Sequence, residues 1–185
     1  MTTVRTHTPT IVELRLLETT DVHGHILPFD YLTRQDDTST GLARTATLIH
    51  EARAQAENTL LFDTGDFLQG SPMTDVTAQP ESEWTGQHPA ISAMNELGYD
   101  AVGLGNHEFN FGIDWLLQTL EQARFPVTCA NAIVNAGSAP QHDKTLVPQY
   151  LLLDRTMADT EGRPHDICIG VIGLLPPQIT EWDHF

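Results

Sequence analysis

Apolar positions along the chain recur in two rhythms, and their alternation predicts an α/β fold. Val12 to Thr20 is apolar and β-branched and stops at the polar run Asp21-Val22-His23-Gly24-His25, which predicts a strand followed by a loop. Residues 1–11 ahead of it predict an extended or disordered lead-in. From Gly41 to Glu57 the rhythm changes. Leu42, Ala46, Ile49, Ala52 or Arg53, and Ala56 recur at steps of three and four, which lays one stripe of a helix against a core. Asn58 breaks that helix, and Thr59 to Asp63 predicts a short buried strand ending in Thr64-Gly65-Asp66. Residues 67–88 mix Gly, Pro and Ser with other types and predict a long loop. A helix from Pro89 to Leu97 closes on Gly98, and Ala101 to Leu104 predicts a third strand ending in Gly105-Asn106-His107-Glu108.

The pattern then repeats and changes. Ile113 to Ala123 predicts a helix with Trp115, Leu116 and Leu120 facing inward, and Phe125 to Ala130 a fourth strand. After a loop over Asn135 to Lys144, Val147 to Arg155 and Asp166 to Leu175 predict two more strands with no helix between them. Alternation at the start argues for largely parallel strands, and the later pair makes the sheet mixed. The chain ends about ten residues after the last strand, so it reads as an incomplete domain exposing apolar surface from Ile167 to Leu175.

Charge narrows the range of partners. Asp and Glu number 25 against 9 Lys and Arg, a net charge of −16, which excludes a surface that grips a nucleic-acid polymer or an anionic membrane through clustered cations. A small phosphorylated substrate stays open, because bound divalent cations reverse the local charge of a carboxylate-rich site. No apolar stretch is long enough to span a membrane, and Met1 to Thr10 carries no hydrophobic signal segment. Cys129 and Cys168 each sit in an apolar run outside any Cys-x-x-Cys, where buried, inert thiols are expected.

Three of the predicted strands end in residue types that ligate metals: Asp21-x-His23, Gly65-Asp66 and Gly105-Asn106-His107. Ligands of open α/β sheets bind beyond the carboxyl ends of the strands, so the three clusters can converge there. A two-metal hydrolytic site needs that supply: one carboxylate to bridge two ions, imidazoles and an amide oxygen elsewhere, and open positions for water and a phosphate oxygen. Each cluster alone is ordinary turn or cap chemistry. Three in this order, each at a strand end, point to a site.

These clusters resemble the successive motifs of the calcineurin-like metallophosphoesterases, whose fold is an α/β mixed-sheet sandwich flanked by helices. Within that superfamily the chain is similar to the 5′-nucleotidase group, and most of all to its bacterial branch acting on 2′,3′-cyclic nucleotides and 3′-nucleotides. The resemblance runs from about Leu14 onward. It is carried by Thr19 to His23, Asp66 to Pro72, His88 to Asn95, Gly105 to Gly112, and Ile172-Gly173 with Pro176 to Ile179 and Trp182-Asp183. It implies that Asp21 and His23 hold a first divalent metal, Asp66 bridges, and Asn106 ligates a second; Zn, Mn, Fe or Co would suit. His107 would face the scissile phosphate, stabilising the transition state or protonating the leaving oxygen. The implied nucleophile is a metal-bound hydroxide attacking phosphorus, since no Ser or Cys in the clusters has a partnered base.

One departure sharpens the substrate. The 5′-nucleotidases typically place an Asp three residues after the catalytic His, whereas this chain has Asn110. Asn accepts a hydrogen bond from the ring but does not stabilise an imidazolium as a carboxylate does. The cyclic-phosphodiesterase branch resembles this chain in carrying Asn, so nucleotides of that class are the expected substrate, with 5′-nucleotides the alternative. The family also uses later histidines and a C-terminal base-binding domain. His142, His165 and His184 lack the context of those histidines and read as surface or loop residues, while His7, His50 and His88 read as structural or solvated and His25 as a possible neighbour of the first cluster. The 185 residues therefore read as the N-terminal part of a catalytic domain over 12–185. Alone, they are expected to bind at most one metal, through Asp21, His23 and Asp66, with little turnover; an inactive remnant is the non-enzyme alternative. The family points to the periplasm, while the lack of a signal segment in these residues leaves the cytoplasm open.

Overall fold

The computed structural model describes residues 10–182; the lead-in up to residue 9, His7 and His184 lie outside the described residues. Strand β1 (Arg15–Thr19) is followed by a small hairpin, β2 (Phe29–Asp30) and β3 (Gln35–Asp36), then helix α1 (Leu42–Ala54) and β4 (Thr59–Asp63). A short helix α2 (Pro72–Asp75) and a 3-10 turn (Val76–Ala78) lead to α3 (Pro89–Leu97) and β5 (Ala101–Gly103). A second 3-10 turn (His107–Phe109) precedes α4 (Ile113–Leu120) and β6 (Val127–Thr128). The rest is β7 (Ile133–Asn135), a 3-10 turn (Pro140–His142), β8 (Lys144–Thr145), the long pair β9 (Tyr150–Ala158) and β10 (Pro164–Ile172), and α5 (Ile179–Trp182).

Four strands form one parallel sheet in the order β1-β4-β5-β6. Because the order advances in one direction, crossovers of one hand lay their helices on one face. Leu42 and Ile49 of α1, Ile91, Met94 and Leu97 of α3, and Leu116 of α4 accordingly share one core with Leu61 and Val102 of the sheet. The inward stripe of α1 follows from its three-and-four spacing, while Leu48, off that stripe, is 63% exposed. α3 ends where Gly98 takes the left-handed conformation (φ 65°) and its N–H bonds the Met94 carbonyl at 3.1 Å.

The antiparallel strands lie in two-stranded ladders of their own, with Ile172 opposite Tyr150 and Gly170 opposite Leu152. β9 and β10 start two or three residues away from where the apolar runs put them, because pairing with each other sets their ends. The loop expected over 67–88 contains α2 and the first 3-10 turn, and the β2–β3 hairpin has no counterpart in the hydrophobic pattern. On the β9–β10 pair, Tyr150, Leu152 and Ile172 share an exposed face, Leu174 just beyond is also exposed, and Ile167, Ile169 and Val171 are half-buried. Leu175, read with them, is buried in a small cluster with Leu104, Cys129 and Val147.

One thiol departs from expectation. Cys129 is buried, but Cys168 is exposed. Its run reads as continuously apolar, yet a strand with one face in solvent turns alternate residues outward, and Cys168 falls on the outward set opposite Asp154. A hydrogen bond with that carboxylate and its negative charge push the Cys168 thiol up.

Candidate metal centre

All four parallel strands point their carboxyl ends the same way, so the loops after β1, β4 and β5 leave from one edge. The first two loops run on beside each other after the strands have ended. Asp21 N–H bonds the Gly65 carbonyl at 3.1 Å, His23 N–H the Asp66 carbonyl at 2.7 Å and Gly24 N–H the Phe67 carbonyl at 3.2 Å. Asp21 (φ 51°), His23 (φ 47°) and Asp66 (φ 60°) all adopt the left-handed conformation, which costs a side-chain-bearing residue roughly 1 kcal/mol. Asp tolerates that region better than most types, and the inter-loop hydrogen bonds hold it in place.

The glycines in the motifs allow the loops of β4 and β5 to touch. A Cβ added to Gly65 would lie 2.1 Å from the Gly105 nitrogen, and one added to Gly105 would lie 2.2 Å from Asp66 Oδ1. Backbone meets backbone there, and no side chain fits between.

The result is a compact group. His23, Asp66 and His107 each offer one ligand atom, and these atoms lie within 4.8 Å of one another. The two imidazoles meet edge to face, with centroids 4.9 Å apart. Each is oriented through Nδ1: His23 faces the Gln69 carbonyl at 3.2 Å and His107 the Asn110 Oδ1 at 2.7 Å. A carbonyl-type acceptor at Nδ1 places the proton there and leaves Nε2 free. His23 Nε2 lies 3.7 Å from Asp21 Oδ1, and Asp66 Oδ1 accepts the His107 backbone N–H at 2.8 Å. Two imidazoles and a carboxylate, half-buried and within one ion's reach of each other, fit a divalent transition metal.

One expected carboxylate ligand, Asp21, does not enter that group. Asp21 stands at its edge, its side chain 60% exposed and hydrogen-bonded by the Thr20 hydroxyl. Asn106 opens the turn that carries His107, and its carbonyl accepts the Phe109 N–H at 3.2 Å. His107, read as facing the phosphate, lies among the ligand-type atoms. Of the other histidines, His50 and His142 are exposed, and His165 pairs with Asp159 at 2.9 Å on the β9–β10 hairpin. His25 is half-buried, with Nδ1 unpartnered. His88 is 2% exposed, edge-on to Trp115, and burial pulls its imidazole down to about 4. A hollow of about 750 Å³ lies at the opposite end of the sheet between Glu13, Asn58 and Asp159.

Two buried carboxylates around the site have no role in the sequence reading. Asp63, the last residue of β4, accepts the Thr19 hydroxyl at 2.5 Å and the Gly65 N–H at 2.9 Å; burial pushes its carboxyl up to about 7, with those bonds opposing. Glu108 is fully buried and accepts backbone N–H groups from Asp66 at 2.7 Å, Phe67 at 2.8 Å, Leu68 at 3.1 Å and Gly105 at 2.6 Å. Burial raises the Glu108 carboxyl, and the four N–H donors oppose the rise. The available signal for both was an acid inside an apolar stretch or a motif.

A scan of protein-family models finds no match to the chain. Individual relatives do match. Over 173 residues the chain is 44% identical to the 2′,3′-cyclic-nucleotide 2′-phosphodiesterase/3′-nucleotidase of Yersinia enterocolitica, covering 93% of this chain and 26% of that protein. The calcineurin-like phosphoesterase YfkN of Bacillus subtilis superposes with a TM-score of 0.81 at 38% identity, over 95% of this chain and 52% of that one. A putative 5′-nucleotidase from Staphylococcus aureus follows with a TM-score of 0.72 at 31% identity, over 90% of this chain and 29% of that one. The chain thus spans about a quarter of the length of the first relative, matching its N-terminal part. In homology and in fold, the chain belongs to the calcineurin-like phosphoesterases, and the relatives it matches are named as nucleotide phosphodiesterases and nucleotidases.

Proposed function

We propose that these residues form the cation- and phosphate-facing part of a nucleotide phosphoesterase that opens 2′,3′-cyclic nucleotides and then releases phosphate from the 3′-nucleotide. The observation that carries the reading is the convergence of His23, Asp66 and His107 from three separate loops onto one point at the carboxyl edge of the sheet. His23, Asp66 and Asp21 would hold a first divalent cation, and Asp66 with Asn106 would contribute to a second. When bound, such cations neutralise phosphate charge and acidify water, which is most of what phosphoester hydrolysis requires.

The chain's own residues supply orientation and a proton. Asn110 accepts from Nδ1–H and fixes the His107 ring, so Nε2 is the atom presented to the leaving oxygen, and it donates a proton there from the imidazolium form. Gln69 does the same for His23 through its backbone carbonyl, leaving Nε2 on the cation side. Asp66 is held by the His107 N–H, so a shift of either residue moves both. Asn110 and the cyclic phosphodiesterase relative favour cyclic and 3′-nucleotides over the 5′-nucleotides cleaved by more distant relatives. The resemblance also suggests export to the periplasm; among the described residues, no helix is long and apolar enough to cross a membrane.

The test is product analysis. Protein carrying these residues is supplied with Mn²⁺ and, in turn, 2′,3′-cyclic AMP, 3′-AMP and 5′-AMP. Adenosine and phosphate are expected from the first two, and His107→Ala should lower turnover by about 10²–10⁴-fold. Cleavage confined to 5′-AMP would refute the substrate assignment.

A further inference from the structure

Glu108 is an unusual residue to find where it is. It is fully buried, yet among the described residues it has no cationic partner. Its carboxyl oxygens accept from backbone N–H groups. Oε1 accepts from Phe67 and Leu68, and Oε2 accepts from Asp66 and Gly105. A carboxylate has about four lone-pair sites, and these four N–H groups fill them. That arrangement leaves no oxygen facing the space between His23, Asp66 and His107, so Glu108 is not a ligand of that group.

The donors come from two of the three loops that carry the site. Asp66, Phe67 and Leu68 follow β4, while Gly105 follows β5, and Glu108 itself sits in the turn that presents His107. The same Asp66 whose N–H bonds Glu108 uses Oδ1 to accept from His107, and its carbonyl accepts the His23 N–H. One buried side chain therefore ties together the backbone positions from which His23, Asp66 and His107 are presented. We propose that Glu108 is the positioning residue of this centre: a buried carboxyl side chain that gathers two of the three ligand loops around itself and so sets the spacing of the ligand atoms before any cation arrives. The proposal rests on reading His23, Asp66 and Asp21 as a cation site with His107 beside it. It assigns Glu108 a task separate from chemistry at phosphorus.

Glu108→Gln replaces one oxygen with an NH₂ and leaves two backbone N–H groups facing a donor. The expected result is a folded protein whose Mn²⁺ affinity, measured by titration calorimetry with the metal alone, falls tenfold or more, as when an outer-shell partner of a ligand is removed. Leu97→Ala is the control. Leu97 ends α3, at the end of the sheet away from the site, so this variant should lower the melting temperature while Mn²⁺ affinity stays within twofold. Failure of the unaltered protein to bind Mn²⁺ would overturn the cation reading itself. Unaltered affinity in Glu108→Gln, or an equal loss in Leu97→Ala, would overturn the Glu108 proposal alone. Should Glu108→Gln not fold, amide exchange on the unaltered, metal-free protein decides. The amides of Asp66, Phe67, Leu68 and Gly105 should be protected as strongly as those of α1. Exchange at the rate of exposed loops would show that Glu108 does not pre-form the site.

Discussion

Gly105→Ala is the smallest change that should disturb this site, because it adds one carbon at the point where two loops touch. The new Cβ would stand 2.2 Å from Asp66 Oδ1, 2.6 Å from its nitrogen and 2.7 Å from its Cγ, all far inside ordinary contact. Asp66 cannot simply swing away. Its N–H bonds Glu108 at 2.7 Å, its carbonyl accepts from His23 at 2.7 Å, and its Oδ1 accepts from His107 at 2.8 Å. Relief requires either a backbone shift, as in an overpacked core at about 1–3 kcal/mol, or loss of a hydrogen bond to a charged group at about 1.5–3 kcal/mol. The two routes are alternatives, so a loss of about 1–3 kcal/mol is expected. For a domain of this size that is a drop of roughly 2–12 °C in melting temperature. Mn²⁺ affinity should fall at least about tenfold, because the displaced atom belongs to a ligand. Gly170→Ala is the matched control: nothing lies within 4 Å of its added Cβ, so its stability should stay within about 0.5 kcal/mol. Thermal melts of the metal-free proteins and calorimetric Mn²⁺ titrations read both effects. If Gly105→Ala melts and binds as Gly170→Ala does, the close approach of the two loops carries no energetic weight and the reasoning fails.

Other outcomes are open to measurement. The 185-residue chain should take up a single divalent cation, and His23→Ala should abolish that uptake without unfolding it; two tight sites by calorimetry would contradict this. Burial holds the His88 imidazole at about 4, below its ordinary 6.5, so between those values the unfolded chain binds a proton that the native chain does not. Stability linked to His88 is therefore complete above pH 6.5 and falls by about 3 kcal/mol as pH drops to 4. His88→Leu should flatten that part of the profile, and urea melts at pH 7 and pH 4.5 that differ equally in both proteins would rule it out. Cys168, outward on β10, should react with a maleimide in the native protein while Cys129 stays blocked until denaturation; mass spectrometry of the labelled peptides distinguishes them.

The hydrophobic pattern locates most of the scaffold because burial on one helical face leaves a periodic trace. Leu42, Ala46 and Ile49 mark α1, and Leu60 and Leu61 mark β4 in the middle of the sheet. The pattern fails where a segment is half in solvent. Cys168 was read as inward because its neighbours are apolar, although alternation on a two-stranded ladder turns it out. The β2–β3 hairpin is only two residues wide, too short for any period. The site shows the same division. Asp21, His23, Asp66, Asn106 and His107 could be read as candidates because each ends a strand-like run in a residue type known for its side-chain chemistry. Glu108 lay within one of the quoted motifs and still received no role. Its partners are four backbone amides, and every residue except proline supplies one, so no pattern of letters marks them. Asp63 is similar: one of its partners is a backbone N–H, the other the hydroxyl of Thr19 on the neighbouring strand, 44 positions away in sequence. A sequence names the groups that can reach a ligand more readily than the groups that hold them there. A buried acid with no lysine or arginine at hand is therefore the residue type most worth tracing in the structure, since its charge has to be answered by something the sequence does not spell out.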